Sequence, residues 1–358
     1  MKAVLKGRVS CADALLGFEG THINVKDATG ETALLKACAK GNLEMVERLL
    51  GCQSGVDVDP EDVNGVTPLM KAAARGFDLV VSALLSYGCD AKKRSNQGET
   101  AFMKACLWGH EACVKVLLGA GADLEERDGL GETAFVKAAK EGHCDVVDLL
   151  LKKNADFNST NNLGQTALMK AVPFNDGQTS MVASDGEDHT DTDGALVSAI
   201  QRIENSVVVV EKLLACHGIQ VNAQDGLGRT ALMKAAQIGV NAIVDLLLSH
   251  PDTDARVCDL QGQNSLMKAA SWGNVGCVAR LLVAGVPVNV EDINGETALV
   301  EAAGRGNEAC VRVLLDVPDI DVICRNRWGE TPLLKAASKP EEITRRVKDS
   351  ELGSDHLI

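Results

Sequence analysis

One phrase recurs along this chain at a nearly constant interval, and it limits the possible folds more than any other feature. Gly30-Glu31-Thr32-Ala33-Leu34 returns as Gly65-Val66-Thr67-Pro68-Leu69 and as Gly98-Glu99-Thr100-Ala101-Phe102, then again from Gly131, Gly164, Gly228, Gly262, Gly295 and Gly329. The steps between these glycines are 35, 33, 33, 33, 64, 34, 33 and 34 residues. A unit of this length cannot bury its apolar face alone and has to stack on its neighbours.

Each period carries the same inner pattern. Nine residues after the Thr position stands a Gly (Gly41, Gly76, Gly109, Gly142, Gly239, Gly273, Gly306), and five further on a Val (Val46, Val81, Val114, Val147, Val244, Val278, Val311). Apolar pairs such as Leu49/Leu50, Leu117/Leu118 and Leu281/Leu282 follow at helical spacing. Upstream, Thr67 is placed to cap a helix and Pro68 sits in its first turn, where a missing N–H costs little. The expected unit is helix, Gly turn, helix, polar loop.

These residues resemble the ankyrin repeat, whose pattern runs Asp-x-x-Gly-x-Thr-Pro-Leu-His-x-Ala-Ala, then Gly, Val, Leu-Leu and Gly-Ala-Asp. The leading Asp is present at Asp27, Asp62, Asp128, Asp225, Asp259 and Asp292, and Gly121-Ala122-Asp123 and Asn154-Ala155-Asp156 match the closing element. The wording also looks like that of ankyrin-only proteins of some protists, diplomonads especially. The family His is replaced throughout, by Leu35, Met70, Met103, Val136, Met169, Met233, Met267, Val300 and Leu334, which puts the usual loop network in doubt. The resemblance implies an all-α ankyrin-repeat solenoid of about ten helix-turn-helix units. Residues 1–29 read as an N-terminal capping half-repeat, 30–174 and 205–328 as repeats, and 329–358 as a capping repeat and tail with a polar outer face.

The doubled step marks an acidic insertion of about 30 residues at 175–204, inside the fifth full repeat. Ser184 to Gly194 is nearly devoid of apolar residues and reads as a mobile loop, whereas Ala195 to Glu204 has Leu196, Ile200 and Ile203 at helical spacing and reads as a short docked helix. The second helix of this repeat is expected at Ser206 to Leu214, after a turn near Asn205. Ser184 and Thr190 each have an acid three residues on, a phosphorylation context. His189-x-Asp191-x-Asp193-Gly194 is half of a calcium loop, but Ile200 stands where the bidentate Glu is needed, so no metal site is expected.

Chemistry is otherwise missing from the pattern. No phosphate loop, nucleophile elbow or His-Glu-x-x-His pair occurs. His110 and His143 follow the turn Gly and read as structural. The 12 cysteines form no Cys-x-x-Cys pair and recur at repeat positions, as small core residues of a reducing compartment. The 50 acids against 36 bases, and only 3% aromatics, argue against nucleic acid. No apolar run approaches a membrane span, and the charged start is unlike a secretory signal.

In the ankyrin resemblance, partners meet the residues before the turn Gly and the loop tips. Carried over by position, the expected contacts are Arg75, Trp108, Ile238, Trp272 and Arg305 at helix ends, with Trp328 on a loop tip. Trp and Arg are enriched in interface hot spots; the bland alternative is that each Trp packs into the core. A second regularity is a lysine row, Lys36, Lys71, Lys104, Lys137, Lys170, Lys234, Lys268 and Lys335, broken only by Glu301. It reads either as a cationic stripe for an acidic partner or as lysines whose stems cover a neighbouring helix with the charge in water.

The expected function is that of a non-catalytic scaffold: a monomeric, cytoplasmic protein that binds a protein partner through a concave ankyrin surface, without cofactor, metal or nucleic acid. A regulatory or targeting subunit of a kinase or ubiquitin-ligase type complex, an effector secreted by a signal-independent route, and association with the cytoskeleton stay open at this point.

Overall fold

The computed structural model of this chain describes residues 9–18, 22–52, 55–173 and 192–338. Ser184, Thr190, the first part of the insertion and the expected C-terminal cap beyond residue 338 lie outside them. Contacts divide the chain into two compact units, Met1–Gly226 and Leu227–Ile358. In the first, α1 (Val9–Leu16) precedes the pairs α2/α3 (Ala33–Ala39, Leu43–Leu50), α4/α5 (Pro68–Ala74, Asp78–Ser86), α6/α7 (Ala101–Leu107, Glu111–Gly119), α8/α9 (Ala134–Glu141, Cys144–Lys152) and α10/α11 (Ala167–Ala171, Thr192–Leu214). In the second, the pairs α12/α13 (Ala231–Ile238, Asn241–Ser249), α14/α15 (Ser265–Ser271, Val275–Val283) and α16/α17 (Ala298–Arg305, Glu308–Leu315) precede α18 (Pro332–Ser338). Both units are all-α among the described residues; the sole β contact there is an isolated bridge between Thr160 and Thr166.

The first helix of each pair begins at a Thr whose Oγ1 accepts the N–H three residues on, as Thr32 does from Leu35 and Thr67 from Met70. Asn264 does the same work in the second unit, accepting from Met267. These short helices then bury almost everything they carry: Leu69, Met70, Ala72 and Ala73 are at most 1% exposed. The aliphatic residues standing in place of the family His belong to this core, with only Leu334 open to solvent. First helices pack on first helices of the next pair, α2 on α4, α4 on α6, α6 on α8, and in the second unit α12 on α14, α14 on α16.

The turn between paired helices explains its Gly. Gly76 has φ +76°, and a Cβ there would stand 2.6 Å from Nδ1 of His110, the residue after the next turn Gly. His110 Nε2 in turn donates to Ala74 O at 3.1 Å, capping a carbonyl at the end of α4. His143 does the same to Leu107 O at 2.8 Å, and in the second unit Asn274 and Asn307 each reach two such carbonyls. The structural reading of the two histidines thus has a mechanism: one side chain closes the helix end of the preceding repeat.

One boundary differs from expectation. Neither a turn near Asn205 nor a separate short helix exists; α11 runs unbroken for 23 residues from Thr192 to Leu214. No Gly or Pro lies between Ala195 and Leu214 to interrupt it. The result is an outer helix more than twice the 8 or 9 residues of its counterparts in the first unit.

These contacts separate two kinds of glycine. Gly88 also has positive φ (+83°), but a Cβ there meets nothing within 4 Å. Gly88→Ala is expected to cost about 1 kcal/mol of backbone strain, and Gly76→Ala at least about 1 kcal/mol more, because His110 must also move. Urea unfolding of the two variants measures the difference; equal losses would contradict it.

Candidate protein-interaction surface

Six of the nine repeats open their loop with an Asp, and the repeat is built outward from it. Asp128 Oδ1 accepts the backbone N–H groups of Leu130 (2.9 Å) and Glu132 (2.8 Å), which folds the loop, while Oδ2 stands 2.7 Å from Lys137 Nζ on the following helix. Asp27, Asp62 and Asp259 repeat this division of labour with Lys36, Lys71 and Lys268. Asn161 and Asn326 keep the turn and forgo the ion pair, as an amide has one oxygen.

The Glu after the loop Gly extends the pattern between repeats. Glu31 bonds Lys36 of its own repeat at 3.0 Å and also Lys71 of the next. Glu99 likewise takes Lys104 (2.6 Å) and Lys137 (2.8 Å), Glu132 takes Lys170 (3.4 Å), and Glu296 takes Lys335. Lys137 is 5% and Lys234 1% exposed, and Lys234 too is engaged. The lysine row is therefore neither a cationic stripe open to an acidic partner nor a set of stems with charge in water. Lys36, Lys71, Lys137 and Lys335 each stand between two carboxylates, and Lys104, Lys170 and Lys268 each have one.

Burial alone would push Glu99 toward protonation and Lys137 toward deprotonation. Their mutual attraction, with Lys104 and Asp128, outweighs burial, so Glu99 titrates below and Lys137 above the ordinary range. Against burial, Lys71 and Lys36 lower Glu31, the Val66 backbone N–H together with Lys71 lowers Asp62, and Glu31 and Asp62 raise Lys71. Where Glu301 replaces the lysine, it, Asp292 and Glu296 bring carboxylate oxygens within 4.8 Å of one another. Protein donors meet them: Gln263 reaches Asp292 (3.1 Å) and Glu301 (3.5 Å), Ser271 and Arg305 reach Glu301, and Lys335 bonds Glu296.

Neighbouring loops are joined by backbone bonds rather than by the missing His. Asn96 N donates to Asn64 O (3.0 Å), Gly129 N to Gln97 O (2.9 Å) and Asn162 N to Leu130 O (3.0 Å), with Leu260 N to Leu227 O (3.1 Å) in the second unit. The loop network that the His replacement put in doubt is thus present by another route. Burial raises the Cys113 and Cys277 thiols to about 11 and Cys89 to about 12. Seven of the cysteines are buried; Cys11 is exposed, and Cys52, Cys144, Cys216 and Cys258 are half-buried, so the core reading holds for only part of the set.

A family model described as "Ankyrin repeats (3 copies)" matches residues 1–95, 52–128, 102–193, 196–292 and 266–354. The chain belongs to the ankyrin repeat family. Ankyrin repeats are in general protein–protein interaction modules, and no helix among the described residues is long and apolar enough to cross a membrane.

On this ankyrin framework several large side chains stand exposed at helix ends and loop tips. Trp108 caps α6 and is 41% exposed; Trp272 caps α14 and is 59% exposed. Neither packs into the core. Arg75, the cap of α4, is exposed, and Arg305 is exposed but bonded to Glu301 at 3.2 Å; Ile238 is half-buried. Trp328 stands on a loop tip, with the Lys335 ammonium 5.4 Å from its ring centroid. Sequence reading missed its companions. Val63, Leu130 and Leu163 in the first unit, and Leu227, Leu260 and Ile293 in the second, are more than half exposed on the same tips. An apolar residue beside a loop Gly in an otherwise polar segment is the signal that marks them.

The buried charges yield a test by contrast. Lys137→Met leaves Glu99 and Asp128 short of their counter-ion and is expected to cost about 3–5 kcal/mol. Lys115→Met, which removes an exposed pair with Glu111, should cost under about 1 kcal/mol. The pH dependence has a definite sign. Depressed carboxylates contribute stability above their unfolded pKa of ~4 and lose it as pH falls; raised lysines contribute below ~10.4 and lose it as pH rises further. Thermal unfolding should show a plateau between about pH 5 and pH 10 that falls at both ends, and Lys137→Met should flatten the fall at the alkaline end.

Proposed function

We propose that this protein is a non-catalytic interaction scaffold that engages protein partners through the helix ends and loop tips of its repeats. The observation that carries this reading is the exposure of Trp108 and Trp272 at the ends of helices whose Phe102, Met103, Leu266 and Met267 are buried. Such rings cost free energy in water and offer area to a partner at small conformational cost. The stacked repeats hold them in place before binding, so little entropy is lost on association. Twelve cysteines, seven of them buried, favour a reducing, cytoplasmic location, and we take the protein to act as a monomer.

Affinity capture from the native cell with quantitative mass spectrometry tests this directly. A Trp108→Ala/Trp272→Ala variant, first shown to be folded by circular dichroism, should lose specific proteins that the unaltered chain retains, with affinity reduced at least about tenfold. Retention of the same partners in full would place binding elsewhere.

A further inference from the structure

Away from the helix ends, one outer helix of the second unit departs from its neighbours. α15 turns Val275 (37% exposed), Ala279 and Val283 (91% exposed) to the outside, four residues apart on one face. In the same register α13 carries Asn241, Asp245 and Ser249, and α17 carries Glu308, Arg312 and Asp316. α15 packs between these two helices. Beside it, against α13, lies a groove of about 470 Å³ lined by Leu248, Ala279, Val283 and Ala284. On its other flank Leu315 of α17 is 48% exposed. A contiguous apolar patch of this kind is a mark of a macromolecular contact, whereas apolar residues scattered singly are not.

The charges around this patch give it a sign. The three helices carry two cations and two acids, and these are already matched: Arg280 with Asp245 (2.7 Å) and Arg312 with Glu308. The turn that follows α17 then presents Asp316, Asp319 and Asp321, all exposed, and among the described residues none of them forms an ion pair. Asn289 of the preceding repeat holds this turn, donating to Asp319 O (2.8 Å) and accepting from Asp321 N (3.0 Å). Asp316 stands at the register of Val283 on the adjacent helix, about 8–10 Å away. The apolar groove is therefore edged by uncompensated negative charge.

We propose that this outer groove docks a basic amphipathic helix of a protein partner, with its apolar face on Leu248, Val275 and Val283 and its cations on Asp316, Asp319 and Asp321. This adds a second docking face to the scaffold, one that needs neither Trp108 nor Trp272. Val275 and Val283 lie ~12 Å apart along the helix axis, a span that two to three turns of a partner helix cover. Apolar side chains at helical spacing fill such a groove, and flanking charges set the choice of partner. An acidic helix would meet three like charges, and both arginines are already paired.

The test uses the full chain and a fluorescein-labelled helical peptide of about sixteen residues, with Leu along one face and Lys on its flanks, followed by fluorescence anisotropy. A peptide with Glu in place of Lys is the control. The Lys peptide is expected to bind and the Glu peptide to fail. Affinity for the Lys peptide should fall at least about tenfold in Val275→Gln/Val283→Gln and in Asp316→Lys/Asp319→Asn. Asn is chosen at 319 because it tolerates the φ of +68° there. The charge variant should gain binding to the Glu peptide, a gain that an unfolded protein does not produce, and thermal unfolding checks that the valine variant is folded. Absence of binding, equal binding of both peptides, or indifference to the valine substitutions overturns the proposal. Loss of the Lys peptide in Trp108→Ala/Trp272→Ala with full retention in the valine variant also overturns it, while leaving the scaffold reading in place.

Discussion

The ion pair between the loop acid and the helix lysine is the interaction on which the rest of the structure depends. A carboxylate has two oxygens, and Asp128 uses one to fold its loop and the other to hold Lys137. Loop conformation and helix position are thereby coupled through one side chain. The Glu positions add the third dimension, since Glu31 and Glu99 each bond lysines of two successive repeats. Buried charges of this kind contribute little net stability, because desolvation offsets most of their attraction. Their effect is on register: a slipped stack would leave ammonium and carboxylate groups buried and unpaired.

A second device acts at the opposite end of four of the first helices. The residue after the turn Gly reaches back to free carbonyls of the preceding repeat, by imidazole in His110 and His143 and by amide in Asn274 and Asn307. The first helices of the pairs are only five to eight residues long, and so would be unstable alone. They persist because Thr caps one end, the neighbouring repeat caps the other, and Leu, Met and Ala side chains fill the space between.

The repeat, its helices and their caps were legible because each depends on residues within a few positions: Thr before the helix, Gly in the turn, apolar side chains at helical spacing. The exposed Trp108 and Trp272 were legible too, by their place before the turn Gly. The fusion of the insertion's last segment with the outer helix was harder to see, since periodicity measures spacing and is silent on whether a helix stops. The apolar loop tips were passed over because polar neighbours obscured them.

The sequence by itself determined that this chain stacks ~33-residue helical units: a unit so short has no core of its own, and the pattern that supplies one repeats nine times. Tertiary structure alone decided the fate of the charges. Lys71 and Lys40 look equally solvated along the chain, yet one is enclosed between Glu31 and Asp62 while the other stands open at a helix end. That difference depends on acids contributed across the stack, from residues up to 40 positions away, a distance over which local pattern carries no information and packing sets every neighbour.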